Sequence, residues 1–238
     1  MADTYSPKHA PEYDLQSLLE AGCHFGHKVS KWHPKMADFI FGEQDGIHLF
    51  DLAKTAEQMQ KVYDFVFDLA KEGKTLLIVG TKKQAKDLVK AADAEAGCFY
   101  ISSRWMGGML TNWDQISKSI KRMEEIRSGL ENNLYKGYTK YERVQLEKEL
   151  GRLERFFAGL KGMKQRPDCI FVAGAKHDDL VVEEANKENI PVLALADSDT
   201  DPRPLEIVVP ANDDAVKSIQ FVVDQVATAY KAGRAEQK

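Results

Sequence analysis

Arg104-Trp105-Met106-Gly107-Gly108-Met109-Leu110-Thr111-Asn112-Trp113 is the stretch on which the fold turns. Before it, short apolar runs alternate with amphipathic segments; after it, a long charged helical pattern begins. Gly107 and Gly108 lack a Cβ and let the backbone take positive φ at little steric cost, so the pair reads as a joint. Trp105 and Trp113 flank that joint, Arg104 stands beside the first, and Lys118, Lys121 and Arg122 lie just beyond the second. The stretch is either a packed hinge that anchors an inserted arm or part of a surface that grips an anion.

Downstream of the joint, Ile116, Ile120, Met123, Ile126 or Arg127, and Leu130 follow near-heptad steps. After a polar turn around Asn132, Asn133 and Gly137, the residues Leu146, Leu150, Leu153, Phe157 and Leu160 repeat steps of four and three. Two such helices with a short loop predict an antiparallel, coiled-coil-like hairpin over 114–166. Neither apolar seam is wide enough to be buried alone, so each helix needs the other.

On either side of this insertion the chain has a β/α rhythm. Residues 1–13 are polar, contain Pro7 and Pro11 and show no period, which predicts a flexible N-terminal tail. Asp14 is placed to cap a short helix that ends at Gly22, and Cys23–Lys35 reads as a loop. Phe39-Ile40-Phe41 and Ile47–Phe50 flank Gly42–Gly46 and predict an N-terminal β-hairpin. Asp51 opens a helix with Leu52, Met59, Val62, Val66 and Leu69 on one face. Thr75–Val79 and Cys98–Ile101 read as strands, with a helix from Gly80-Thr81-Lys82-Lys83 to Gly97 between them. Beyond the insertion, Cys169–Ala173, Pro191–Ala196 and Ile207–Val209 read as strands and His177–Asn189 as a helix. Asn212 is placed to cap a last helix, and 231–238 form a polar C-terminal tail. Residues 14–113 and 167–230 are therefore two parts of one α/β domain. Its right-handed crossovers predict a doubly wound parallel sheet with ligands at the strands' C-terminal ends.

Composition narrows the function classes. No apolar run approaches the ~20 residues that span a bilayer, and the start has neither signal-peptide nor transit-peptide character. Three cysteines, far apart and never in Cys-x-x-Cys, read as reduced cytosolic thiols. The net charge of −4 argues against a whole-surface nucleic-acid binder. Its distribution differs: residues 114–166 hold 13 Lys and Arg against 8 Asp and Glu, or +5, leaving −9 for the remainder. Residues 23–35 add three lysines and three histidines with no acid. These are local basic surfaces or solvated helix faces.

The chemistry-bearing motifs are few. Gly80-Thr81-Lys82-Lys83 sets lysines where a strand turns into a helix, a place that favours an anion. It matches neither free-nucleotide fingerprint, so phosphate of a nucleic acid, a mononucleotide and a plain helix cap all stay open. Lys28, Lys31, Trp32, His33 and Lys35 interleave cations with an aromatic ring, which suits phosphate contact and base stacking, or a core plug among solvated lysines. His24, His27 and His33 lack a zinc spacing; with Asp197 and Asp213, which follow neighbouring strands, one imidazole and two carboxylates suit a divalent ion, or these are ordinary surface histidines and helix-capping aspartates. Gly-x-Ser-x-Gly and His-Glu-x-x-His are absent.

A family resemblance runs through these residues. Leu18–His27, Trp32-His33-Pro34-Lys35-Met36, Phe39-Ile40-Phe41-Gly42, Gly46-Ile47-His48, Val79–Lys83 and Arg104–Asn112 resemble the S-two family of bacterial small-subunit ribosomal proteins. Lys118–Arg122, Gly159–Lys164, Pro167-Asp168, Ile190-Pro191-Val192 and Asn212–Ala215 continue the likeness in collinear order over roughly 15–230. It implies a flavodoxin-like sheet with an inserted coiled-coil hairpin, and a non-catalytic ribonucleoprotein role in translation. It further implies binding to small-subunit ribosomal RNA, a place in the cytoplasmic ribosome, and docking of other ribosomal proteins, including the large first-numbered one that captures messenger RNA. No membrane, small-molecule substrate or required cofactor is implied. One divalent ion, zinc or magnesium, is suggested at the matching positions His27, Asp197 and Asp213. Cys23 departs from the family's usual apolar residue, and Asp199 adds a carboxylate to the usual 197–202 pattern.

The expected RNA contacts are Lys28, Lys31, Trp32, Lys35, Lys82, Lys83, Arg104, Lys118, Lys121 and Arg122. The competing readings are a metal-dependent α/β enzyme using the His24/His27 loop and the Asp197–Asp201 cluster, and a coiled-coil adaptor without RNA contact.

Overall fold

The computed structural model describes residues 6–237. Asp14 accepts hydrogen bonds from the Gln16 and Ser17 backbone and caps α1 (Leu15–Glu20). Three short strands follow, β1 (Phe25–Lys28), β2 (Ile40–Gln44) and β3 (Ile47–Phe50), forming an antiparallel sheet in the order β1-β3-β2. Asp45 and Gly46 both take positive φ between β2 and β3, as a tight hairpin turn requires. Asp51 caps α2 (Leu52–Lys71). The chain then runs through β4 (Leu76–Val79), α3 (Lys86–Ala96), β5 (Phe99–Ile101), α4 (Trp113–Glu131) and α5 (Lys140–Phe157). It ends with β6 (Cys169–Val172), α6 (Asp179–Lys187), β7 (Val192–Ala196), β8 (Ile207–Pro210) and α7 (Val216–Ala235).

The last five strands pair in parallel in the order β5-β4-β6-β7-β8. The first of them lies second from the edge, which is the flavodoxin-like arrangement with its switch point between β4 and β6. Period-two geometry sends alternate side chains to opposite faces. Leu76 and Ile78 join Val62, Val66, Ile219 and Val222 on the face covered by α2 and α7. Leu77 and Val79 join Val181, Val182, Met123 and Leu160 on the other. That second face explains the arm's attachment: the start of α4 and the end of α5 both pack on the sheet, so the helices run antiparallel. Arg127 and Arg122 of α4 bridge to Glu154 and Glu149 of α5. Thr139 and Glu142 form a reciprocal cap at the start of α5.

Several local expectations change. Over Cys23–Lys35, where the sequence predicts a loop, β1 forms and is followed by two short 3-10 segments. Phe25-Gly26-His27-Lys28 has no strand alternation of its own, and its conformation comes from pairing with β3. The helix after β4 begins at Lys86, so Lys82 and Lys83 lie in the preceding turn. Asn212 binds the Asp214 and Ala215 backbone and caps a turn just before α7. Part of the predicted N-terminal tail, residues 1–5, lies outside the described residues. The rest is anchored: the backbone of Lys8, His9 and Ala10 donates to the buried Asp64 carboxylate at 2.7–2.8 Å. The C-terminal tail expected over 231–238 is helical to Ala235. Gly233 lets α7 press on α2, where a Cβ would overlap the Phe67 carbonyl oxygen. Residue 238 lies outside the described residues.

Cys23, Cys98 and Cys169 are free and buried. Burial raises all three thiols, Cys98 up to about 12. The native chain is therefore expected to react with a water-soluble disulfide reagent at about pH 8 at least tenfold more slowly than the unfolded chain. One thiol reacting at the unfolded rate before denaturation would contradict this.

Candidate functional site

Beyond the C-terminal ends of β4, β7 and β8, charged side chains meet those of β1. His27 comes from β1, Asp197 follows β7, Asp213 and Asp214 follow β8, and Lys82 follows β4. Donor atoms of His27, Asp197 and Asp213 lie within 4.8 Å of one another, and both aspartates are 1% exposed. Ser198 fixes the arrangement. Its backbone N–H and hydroxyl donate to Asp197 Oδ1 at 2.5 and 3.1 Å, and the hydroxyl oxygen accepts from the His27 backbone at 2.8 Å. His27 Nδ1 sits 2.9 Å from Asp197 Oδ1, and Lys82 Nζ sits 2.6 Å from Asp213 Oδ1 and 3.0 Å from Asp214 Oδ1.

The electrostatics follow from those distances. The Asp197 carboxylate pushes the His27 imidazole up to about 9, against the opposite pull of burial. Burial pushes Asp213 up to about 6, although Lys82 opposes it. Burial alone would lower Lys82, but Asp213 and Asp214 together hold it above its ordinary value. The ion pairs are close without being well aligned: His27 Nδ1 and both Asp213 oxygens are buried with no hydrogen bond of good geometry. That imidazole and carboxylate, with the Asp197 carboxylate beside them, fit a divalent ion that completes its shell with water.

The other histidines stand apart from this cluster. The His24 ring lies tilted against Phe25 with centroids 3.9 Å apart, and burial lowers its pKa. His33 faces Asp201 at 3.9 Å. Asp201 itself is bound by Arg203, which holds its carboxyl down at about 2. The Asp197–Asp201 stretch is thus divided, with Asp197 facing His27 and Asp201 facing Arg203.

The expected RNA contacts also separate. Lys28, Lys31, Lys35, Lys83, Arg104, Lys118 and Lys121 are exposed, and none has an ion-pair partner among the described residues. Trp32 is 37% exposed, with its ring 5.1 Å from the buried His48 ring. Arg122 binds Glu149 at 2.9 Å, and Lys82 is turned into the cluster.

At the joint, Trp105, Met109 and Leu110 are buried and Gly108 takes φ of 91°. What holds them is Glu184 of α6, a residue sequence reasoning missed. Its carboxylate, on a side chain only 4% exposed, accepts from Trp105 Nε1 at 3.3 Å, Gly108 N at 2.7 Å, Leu110 N at 3.0 Å and Thr111 N at 3.5 Å. The available signal was phase: Glu184 lies three residues after Val181 and next to Ala185, on the apolar side of its helix.

Residues 18–233 match the family model described as Ribosomal protein S2. The chain is 42% identical over 219 residues to the small ribosomal subunit protein uS2 of Geotalea uraniireducens (strain Rf4), covering 92% of this chain and 86% of that one. It is 41% identical over 219 residues to uS2 of Koribacter versatilis (strain Ellin345), covering 92% and 73%. With sheet, arm and basic surface all inside the matched span, the chain belongs to the ribosomal protein S2 family.

Proposed function

We propose that this chain is a structural constituent of the small ribosomal subunit that binds ribosomal RNA through Lys28, Lys31, Lys35, Lys83, Arg104, Lys118 and Lys121. The observation that carries the reading is the family match across residues 18–233, supported by cations that no carboxylate among the described residues pairs with. Trp32 offers a ring for stacking on an unpaired base. Lys82 and Arg122 are engaged by Asp213 and Glu149 and fall outside the contact set. The protein works in the cytoplasmic ribosome without catalysis and helps to dock neighbouring proteins, including the large one that captures messenger RNA. The unpartnered His27 Nδ1 and Asp213 oxygens, with the Asp197 carboxylate beside them, suit zinc or magnesium. Such an ion would supply charge neutralisation at the junction of the two sheets, where His27 and Ser198 already tie β1 to the turn after β7.

The test is binding of the purified chain to a small-subunit ribosomal RNA transcript across roughly 50–200 mM salt. Affinity is expected to fall steeply, and the triple variant Lys28→Gln, Lys31→Gln, Lys35→Gln is expected to lower the salt slope by about three. A flat response in the native chain, or its absence from the small-subunit peak of a sucrose gradient, overturns the reading.

A further inference from the structure

A cavity of about 600 Å³ lies at the root of the arm, between α3, the end of β5 and the last turn of α5. Three separate parts of the chain line it with cations: Lys86 and Lys90 from α3, Arg104 from the joint, and Arg155 from α5. Its one acid, Glu154, is already held by Arg127 at 2.8 and 3.1 Å. Lys90 has one ion pair among the described residues, 3.7 Å to the solvated Asp87. Lys86, Arg104 and Arg155 have no ion-pair partner among the described residues. The Ser103 hydroxyl also lines the cavity, and its oxygen is buried without a hydrogen-bond partner.

Gathering four cations around one concavity costs mutual repulsion, and among the described residues only the distant, solvated Asp87 and the already paired Glu154 oppose it. The surroundings are firm. Gly159 seats the end of the arm directly on β5, because a Cβ there would overlap the Tyr100 carbonyl oxygen. Glu184 fixes the joint that presents Arg104. A tetrahedral group with several acceptor oxygens matches this lining better than a planar carboxylate, since forked guanidinium donors and lysine point charges approach it from different sides.

We propose that this cavity is a phosphate-binding site for a nucleotide unit, occupied by a backbone phosphate of RNA crossing the base of the arm. The choice of RNA as the source rests on the function proposed above; the phosphate chemistry rests on the cavity alone.

The test compares the full-length chain with the double variant Lys86→Gln, Arg155→Gln, both positions being exposed and so tolerant of substitution. A labelled single-stranded RNA and 5′-adenosine monophosphate are the two probes. The double variant is expected to bind the RNA about tenfold more weakly, with a salt slope lower by about two. If the monophosphate binds the native chain and not the variant while RNA affinity is unchanged, the site is upheld with a free nucleotide as its occupant. If both probes are indifferent to the two substitutions, the proposal is overturned. The Lys28, Lys31, Lys35 variant reads the broader RNA-binding function independently. Loss there with both probes unaffected in the cavity variant removes the cavity and leaves that function standing.

Discussion

Glu184→Ala is expected to lower the free energy of unfolding by about 3–5 kcal/mol, among the largest losses for any single side chain here. One carboxylate serves four N–H groups of the joint, including the buried indole of Trp105 and the buried backbone of Leu110. Each buried donor left without a partner costs about 1–3 kcal/mol, and these costs do not simply add because the donors share one acceptor. Truncation also opens a cavity beside Trp105. Glu184→Gln keeps the volume and one acceptor oxygen, so about half the loss is expected. Urea unfolding measures both. A lower midpoint with unchanged slope is the expected pattern, and an unchanged midpoint for Glu184→Ala would refute the role. The functional consequence follows from position, since the same N–H groups aim the arm and Arg104.

Lys82→Met is the second. It keeps the apolar stem and removes the ammonium that sits 2.6 Å from the buried Asp213. Breaking one partner from a buried pair costs about 3–5 kcal/mol when the remaining charge has no other compensation. The loss depends on pH. Asp213 is already raised from 3.8 to about 6, so its contribution to stability is present below pH 3.8 and disappears as pH rises through about 6. Removing Lys82 raises that carboxyl further, and the penalty is expected to be largest above pH 7 and small near pH 4. Thermal unfolding of the two chains over that range checks the sign; equal stability at about pH 8 would be decisive against it. Millimolar magnesium or equimolar zinc is expected to restore the variant more than the native chain, because a divalent ion supplies the missing positive charge. Chelation should reverse the effect.

How much of this was legible beforehand depends on whether local pattern or distant partners decided each element. The arm was legible because Leu146, Leu150, Leu153 and Phe157 carry a period of their own. The sheet was legible because strands buried on both faces are unbroken apolar runs, as in Leu76–Val79. β1 was not, since Phe25-Gly26-His27-Lys28 owes its extension to β3. Lys82 and Lys83 are chemically the same in the sequence, and only the turn after β4 sends one inward and leaves the other in solvent. Asp197 and Asp213 stood out because they follow neighbouring strands, the family likeness picked His27 from three histidines, and the chain brings the three together. Ser198, which orders that cluster, had no signal of its own. The ordered ends were hidden because Asp64 and Gly233 act on segments far from them in the chain.

The placement of the arm also governs the order in which the chain can fold. β4 and β6 are neighbours at the middle of the sheet, yet Thr75 and Asp168, which bond across their starts, are 93 residues apart. On a ribosome, β4 emerges long before β6 exists; α2 and β5 are at hand to cover one face and one edge, and the other edge must wait. Closing a loop of that length costs about 4 kcal/mol of chain entropy beyond a constant. The arm occupies roughly half of the loop, and its contacts are local enough to form within microseconds. Once α4 and α5 zip together, the effective loop is about halved and the closure becomes cheaper by about 0.6 kcal/mol. The insertion is therefore a folding clasp as well as an appendage: made first, it carries β6 back to β4.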